Sequence, residues 1–134
     1  MSGRTHSWPV RVYYEDTDMA GLVYHANYLK FAERGRSEMV RAAGIDQAAM
    51  RAAGLVFAVT HMDCAFLRPA RYDDALVVET EAASRTAARF VMRQTVRRGA
   101  EDLFRATVTV ALLDLGGRPR RLTPEVAALF DVAA

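Results

Sequence analysis

The sequence contains almost no cysteine and no long apolar run. Cys64 is the only cysteine among 134 residues, so no disulfide can form within the chain. A single cysteine is typical of proteins in reducing compartments and argues against a disulfide-stabilised secreted fold. No segment approaches the roughly 18 apolar residues of a membrane-spanning helix, and the first residues lack the apolar core of a signal peptide. We therefore expect a cytoplasmic protein with no membrane span.

Lysine is equally scarce, since Lys30 is the only one and arginine supplies the remaining positive charge. The net charge of +2 is compatible with nucleic acid and equally with a small molecule that carries phosphates. Arginine suits phosphate because its planar fork can donate two hydrogen bonds at once. Hydrophobic residues make up 51% of the chain, which supports one globular domain over residues 1–134. We expect the first seven residues to be frayed.

One long helix is predicted near the N-terminus. Apolar or small residues recur there every three or four positions and share one face: Tyr28, Ala32, Gly35, Met39 and Ala43. Asn27 is a plausible N-cap, and Gly44 stands where a helix commonly ends. Gly35 lies on the apolar face, where we expect it to let the helix approach its neighbour closely.

The rest of the chain is predicted to be mainly strand. Alternating apolar residues mark strands at 10–14, 56–66, 76–83, 90–96 and 104–112, with Cys64 on an apolar face. The final segment TPEVAALF predicts a short helix with Thr123 as N-cap. Short connections require antiparallel pairing, and one long apolar-faced helix must be covered. The predicted fold class is therefore α+β, with an antiparallel sheet wrapped around one long helix.

The candidate catalytic residues are concentrated in the stretch YYEDTDMAGLVYHANY. It places Glu15, Asp16 and Asp18 in a turn just before the helix. A carboxylate beside a helix start can act as a nucleophile or activate water, while free N–H groups bind a developing oxyanion. Taken singly, these residues have ordinary structural roles as helix caps or hydrogen-bonded side chains. A metal site of Asp16, Asp18 and His25 is disfavoured because the spacing matches no known motif.

The longer stretch VRVYYEDTDMAGLVYHANYLKFAERGRSEMVR resembles the signature of the 4-hydroxybenzoyl-CoA thioesterase family, and is most similar to its Tol-Pal-associated, YbgC-type branch. FLRPARYDD and the later TPE are similar more weakly. The resemblance implies a hotdog fold, in which a curved antiparallel sheet wraps around one central helix. It also implies hydrolysis of acyl-CoA to free acid and CoA, with no metal or cofactor and no nucleic-acid partner. Homodimers or homotetramers with active sites between subunits are implied too, as are Tol-Pal-associated or lipid-metabolism partners.

The resemblance also assigns roles to individual residues. Asp18, the second aspartate of a D-x-D element, corresponds to the catalytic carboxylate, and His25 is implied to assist it. The backbone N–H that polarises the carbonyl corresponds to the stretch Tyr24 to His25. Gly21 and Asn27 complete the implied substrate-binding loop.

Arg85 and Arg89 are expected to bind the CoA phosphates, because they flank the segment corresponding to the family's basic phosphate-binding segment. Two alanines in SRTAARF depart from that pattern, and a solvated sheet face is the alternative reading. Two other functions stay open: an acyl-thioester hydratase or dehydratase of the same fold, and a non-catalytic acyl-CoA-binding or scaffold protein. The first requires a different His and acid arrangement on the long helix, and the second would not need an acid at position 18. The acyl group is not determined by the sequence.

Overall fold

The computed structural model describes residues 3–131, which form a five-stranded antiparallel sheet and a long helix packed against it. The elements in chain order are β1 (Thr5–Arg11), a 3₁₀ turn (Tyr14–Asp16), α1 (His25–Ala42), α2 (Gln47–Ala52), β2 (Leu55–Phe66), β3 (Ala75–Arg85), β4 (Arg89–Arg98), β5 (Glu101–Asp114) and α3 (Pro124–Ala127). The strand order is β1-β3-β4-β5-β2. The predicted α+β class is confirmed. No helix within residues 3–131 is long and apolar enough to cross a membrane.

Helix α1 packs on the sheet through the face predicted from its periodicity. Tyr28, Ala32, Gly35 and Met39 are all buried. A Cβ at position 35 would lie only 2.5 Å from Cγ1 of Val78 in β3. The close approach expected at Gly35 is therefore confirmed, and it brings the helix backbone within contact distance of the middle of the sheet.

The sheet presents one apolar face to α1. Every second residue of β4 is buried from Phe90 to Val96, and the same holds for β3 from Leu76 to Ala82. Two polar residues lie in this layer, Thr80 of β3 and Gln94 of β4. Nε2 of Gln94 donates to the backbone oxygen of Ala32 at 2.7 Å and to Oγ1 of Thr80 at 2.9 Å. These bonds tie α1 to both central strands, because a buried amide must be satisfied internally.

Strand β2 departs from the predicted simple alternation. Its register against β5 shifts between Val59 and His61, which marks a bulge. A bulge inserts one extra residue and reverses which side chains face inward. Phe57 before the bulge and Met62 after it both pack against the core. Cys64, expected in an apolar face, is exposed instead.

The predicted elements differ from the structure at the start of β1 and at a second short helix. β1 begins at Thr5, so the expectation of frayed residues is wrong for residues 5–7, while residues 1 and 2 lie outside the described range. The short helix α2 was missed, although Asp46 caps it by accepting from Ala48 N at 2.9 Å. Thr123 caps α3 as predicted, with Pro124 at its first position.

Candidate active site

The loop that leads from β1 into α1 is held closed by its own backbone. An isolated antiparallel bridge joins Thr17 to Val23, and Gly21 N donates to Asp18 O at 3.0 Å. Gly21 has a φ of 74°, a left-handed conformation that residues with a Cβ adopt at a cost. The glycine therefore permits the reversal that returns the chain from Asp18 to the helix start.

Asp18 lies at the tip of this loop with an exposed side chain. Its Oδ1 accepts from Ala20 N at 2.9 Å and from Leu22 N at 3.4 Å. Its Oδ2 has no donor among residues 3–131, so one carboxylate oxygen is oriented by the backbone and the other is available to a substrate or a water molecule. This is an arrangement in which a carboxylate can act as a base or a nucleophile.

Asn27 has a different role from the predicted N-cap. The N-cap of α1 is Tyr24, whose side chain makes no capping bond, and Asn27 lies in the first helical turn. Its buried Nδ2 donates to Oδ1 of buried Asp16 at 2.9 Å, and Oδ2 of Asp16 accepts from Tyr13 N at 2.8 Å. Asn27 therefore fixes the loop to the helix through one of its two amide N–H groups.

The backbone N–H expected to polarise the carbonyl is assigned by the resemblance to Tyr24 or His25, and within the described residues only that of His25 is left free for this role. Tyr24 N already donates to Asp16 O at 2.9 Å, and Asn27 N donates to Tyr24 O at 2.8 Å. The N–H groups of His25 and Ala26 have no acceptor among residues 3–131. Since the positive end of the helix dipole lies here, these two groups form the candidate oxyanion site.

The His25 side chain is exposed beside an aromatic wall that sequence reasoning missed. Its ring centroid lies 4.6 Å from that of Tyr24 and 6.0 Å from that of Phe66 at the end of β2. Phe66 is 51% exposed and also contacts Tyr28 and Phe104 edge-on or tilted. The alternation in β2 marked Phe66 only as a face residue, because its proximity to α1 is long-range.

The segment after β2 is anchored beneath this site. Tyr28 Oη accepts from Ala70 N at 2.8 Å, and Val23 N donates to Ala70 O at 2.9 Å. Burial raises the pKa of the Tyr28 hydroxyl, which stays protonated at neutral pH. Leu22 pairs with Arg71 through an isolated bridge. Arg71 is therefore the arginine whose backbone adjoins the Asp18 loop, a relationship invisible in the sequence.

Arg85 and Arg89 lie away from Asp18 within one chain. Val12, close to the loop, bonds to Asp73 and Asp74 just before β3, whereas Arg85 ends that strand. Ten residue steps along a strand span about 33 Å. Arg85 is also paired with Asp131, Nε to Oδ1 at 2.9 Å. A single chain does not bring the two predicted phosphate ligands to the candidate carboxylate.

Residues 3–131 contain no cluster of three or more His, Cys, Asp or Glu side chains that could hold a metal ion. The family model for the thioesterase superfamily matches residues 20–104. The chain belongs to the thioesterase superfamily. The match begins two residues after Asp18 and includes the whole of α1.

Relatives in this superfamily extend the similarity over nearly all of the chain. An acyl-CoA thioester hydrolase, YbgC, from Escherichia coli O6:H1 is 42% identical over 125 residues, covering 92% of this chain and 93% of that one. An acyl-CoA thioesterase YbgC from Haemophilus influenzae is 42% identical over 126 residues, covering 92% and 93%. These matches confirm the resemblance to the YbgC-type branch.

Solved structures of thioesterases share the fold. A probable thioesterase from Bartonella henselae superposes with a TM-score of 0.86 at 42% identity, covering 90% of this chain and all of that one. A 1,4-dihydroxy-2-naphthoyl-CoA thioesterase from Synechocystis has a TM-score of 0.88 at 22% identity, covering 94% and 95%, which shows the fold alone. The expected hotdog arrangement of sheet and central helix is thereby confirmed.

Proposed function

We propose that Asp18 and the N–H groups of His25 and Ala26 carry out thioester cleavage in this acyl-CoA thioester hydrolase. The reaction class is supported by membership of the superfamily and by the 42% identical relatives named acyl-CoA thioester hydrolases. One observation carries the assignment of residues. A single loop joins the Asp18 carboxylate to a helix start where two backbone N–H groups have no acceptor among residues 3–131.

Two mechanisms of thioester hydrolysis are compatible with this geometry. In both, the N–H groups of His25 and Ala26 bind the thioester carbonyl oxygen as it gains negative charge. In the first, the Asp18 carboxylate removes a proton from water as the water oxygen bonds to the carbonyl carbon, the carbon–sulfur bond then breaks, and Asp18 returns the proton to the CoA thiolate. In the second, an Asp18 oxygen bonds to the carbonyl carbon and the carbon–sulfur bond breaks to release CoA thiolate, which takes a proton from solvent. Water then hydrolyses the resulting mixed anhydride and returns the Asp18 carboxylate and a proton. Both routes yield a carboxylic acid and a CoA thiol.

His25 contributes in two separable ways under this proposal. Its backbone N–H is a donor to the oxyanion, and its ring lies beside Tyr24 and Phe66, where it can contact the substrate. Replacing His25 by alanine removes the ring and retains the N–H. We expect this variant to lose less activity than a variant that changes the Asp18 carboxylate.

The test is steady-state hydrolysis of a panel of short, long and aromatic acyl-CoA esters by purified variants. Asp18→Asn keeps the size of the side chain and removes its basicity, so kcat should fall at least about a hundredfold, with KM little changed. Glu15→Gln is the matched control, an exposed acid of the same loop, and should keep normal turnover. Near-normal turnover by Asp18→Asn would place the catalytic carboxylate elsewhere.

We also propose a homodimer, formed through the outer edge of β2, as the minimal assembly. β2 has 12 residues, ends the sheet on one side, and exposes Val59 to 50%. A long exposed edge invites pairing with another strand. The opposite edge, β1, has 7 residues and is interrupted by Pro9, which has no N–H to offer. An antiparallel pair of β2 strands about a twofold axis would join two sheets into one.

Light scattering coupled to size exclusion tests this assembly. Val59→Lys introduces charge at the edge and should shift the mass towards the monomer at micromolar concentration. Val77→Lys makes the same exchange at a 37% exposed valine of the inner strand β3 and should leave the mass unchanged. A monomer mass for the unmodified protein would contradict the proposal. A tetramer that persists in Val59→Lys would place its contacts on another surface.

A cytoplasmic location is proposed from the cysteine content. Cys64 is an exposed free thiol on β2. Partial desolvation and the neighbouring Asp63 carboxylate raise the pKa of this thiol, so it is mostly protonated at neutral pH. An exposed unpaired cysteine fits a reducing compartment.

A further inference from the structure

A cleft separate from the Asp18 loop opens between α1 and the sheet. It has a volume of about 170 Å³. Its apolar walls are formed by α1, β2, β4 and β5, with Val40, Phe57, Phe90, Met92 and Val110 as lining residues. Its polar lining includes Glu33, Arg36 and Ser37 of α1. Arg36 stands 11 residues beyond His25, which corresponds to about 16 Å along the helix axis.

Arg36 is a partly buried cation without a carboxylate partner. No Asp or Glu oxygen lies within 4.0 Å of its guanidinium among residues 3–131, whereas most of the sheet arginines are ion-paired. Its side chain makes one hydrogen bond there, from Nη1 to Oε1 of Gln94 at 2.9 Å. Burial lowers the pKa of Arg36, and Glu33 opposes that change. The guanidinium nevertheless remains charged, because its pKa is far above neutrality.

The support for Arg36 is built into the core. The amide nitrogen of Gln94, Nε2, donates to the Ala32 backbone oxygen and to Oγ1 of Thr80. The amide oxygen, Oε1, is therefore left to accept from Arg36. This chain of bonds fixes the position of the guanidinium and leaves its remaining N–H groups free of protein acceptors among the described residues. A partly desolvated cation that has no carboxylate within salt-bridge distance among residues 3–131, and that lies at an apolar cleft, favours an anion with an apolar body.

We propose that this cleft binds a small apolar monocarboxylate whose carboxylate pairs with Arg36. The guanidinium fork matches a carboxylate in geometry as well as charge. The volume is below the roughly 300–1,000 Å³ of sites for drug-sized ligands, so the ligand is compact. Glu33 at the cleft accepts from the Ser37 hydroxyl at 2.9 Å and opposes an anion, which sets a measurable limit on affinity. Acids released by thioester hydrolysis belong to the same chemical class, a connection that rests on the proposed function.

Calorimetric titration of the full-length protein with hexanoate and with 1-hexanol tests the site without any turnover. Hexanoate should bind at least tenfold more tightly than the uncharged alcohol. Arg36→Gln should weaken hexanoate at least tenfold and leave 1-hexanol unchanged. Glu33→Gln, which changes a surface carboxylate and leaves the Gln94 bonds intact, should tighten hexanoate several-fold.

Equal binding of acid and alcohol would overturn the proposal, as would weaker hexanoate binding by Glu33→Gln. The second variant keeps the test decisive if Arg36→Gln unfolds. Failure of the hydrolysis assay leaves these binding results unaffected, because titration measures binding alone. Conversely, loss of hexanoate binding in Arg36→Gln with retained hydrolysis would separate this cleft from the Asp18 chemistry.

Discussion

Asn27 Nδ2 donates a 2.9 Å hydrogen bond to Asp16 Oδ1, and both residues are buried. The bond connects the first turn of α1 to the loop that carries Asp18. Asp16 also accepts from Tyr13 N through its second oxygen, and its backbone oxygen accepts from Tyr24 N. This buried pair and the backbone bonds of Asp16 together fix the spacing between Asp18 and the start of α1.

Removing the amide partner should destabilise the fold and the site together. Asn27→Ala leaves a buried carboxylate oxygen of Asp16 without its donor, so the free energy of unfolding should fall by about 1–3 kcal/mol. Urea denaturation followed by circular dichroism measures the change. Ser37→Ala, which removes an exposed hydroxyl bonded to Glu33 on the same helix, is the control and should change it by less than about 0.5 kcal/mol. Equal effects of the two variants would contradict a special role for the buried pair.

Gly35→Ala should lower stability even though alanine is the better helix former. The propensity gain is about 1 kcal/mol. The added Cβ would meet Cγ1 of Val78 at 2.5 Å, and overpacking of a rigid core costs about 1–3 kcal/mol. Thermal unfolding should show a lower Tm for Gly35→Ala. In a Val78→Ala background, where that methyl is absent, the same substitution should be neutral or stabilising. A lower Tm of the same size in both backgrounds would rule out the contact with Val78 as the cause.

The two arginines predicted to bind the CoA phosphates, Arg85 and Arg89, should contribute unequally to the KM for acyl-CoA. Arg85 is already paired with Asp131, whereas Arg89 makes no side-chain bond among residues 3–131. Arg89→Ala should therefore raise KM for acyl-CoA several-fold more than Arg85→Ala, with little change in kcat, and weaken the salt dependence of KM. The double variant should have the highest KM. An unchanged KM in the double variant would move the phosphate site, for example to Arg121 or Arg71.

Low pH should lower the stability that Asp74 contributes to the segment beside the Asp18 loop. Burial raises the pKa of Asp74, but hydrogen bonds from Arg71 N and from the Arg98 guanidinium outweigh it, so the pKa lies below the ordinary 3.8. A carboxyl with a lowered pKa stabilises the fold above its ordinary pKa. That contribution is lost as the pH falls from about 4 through the folded-state pKa. The Tm difference between the unmodified protein and Asp74→Asn should therefore be largest near neutrality and shrink below about pH 4.

Asp73→Asn is the matched control for that experiment. Asp73 is exposed, lies 3.7 Å from Arg11, and has a φ of 70°, a conformation that asparagine also tolerates. Its Tm should follow that of the unmodified protein across the same pH range. A constant offset between Asp74→Asn and the unmodified protein at every pH would show that Asp74 does not titrate in this way.

Local patterns in the sequence were sufficient to predict the main helix and strands and to recognise the Asp18 loop. The helix face with Gly35 follows from a repeat of three or four residues, and the cap at Thr123 follows from its neighbour Pro124, because both signals depend on residues close in the chain. The Asp18 loop was recognisable because its residues form one continuous stretch. The same short range explains the errors at Asn27 and Cys64. A cap and a strand face each depend on which backbone groups are already paired.

Long-range relationships were decided only by the tertiary structure. The bulge between Val59 and His61 is set by pairing with β5, so period-two alternation cannot locate it. Folding commits the Tyr24 N–H to Asp16 and leaves that of His25 free, a difference that no propensity encodes. It also places Arg85 at the far end of β3 and leaves Arg36 at a cleft with no carboxylate within salt-bridge distance among residues 3–131. The sequence determined which groups are available, and the packing of α1 on the sheet determined which of them meet.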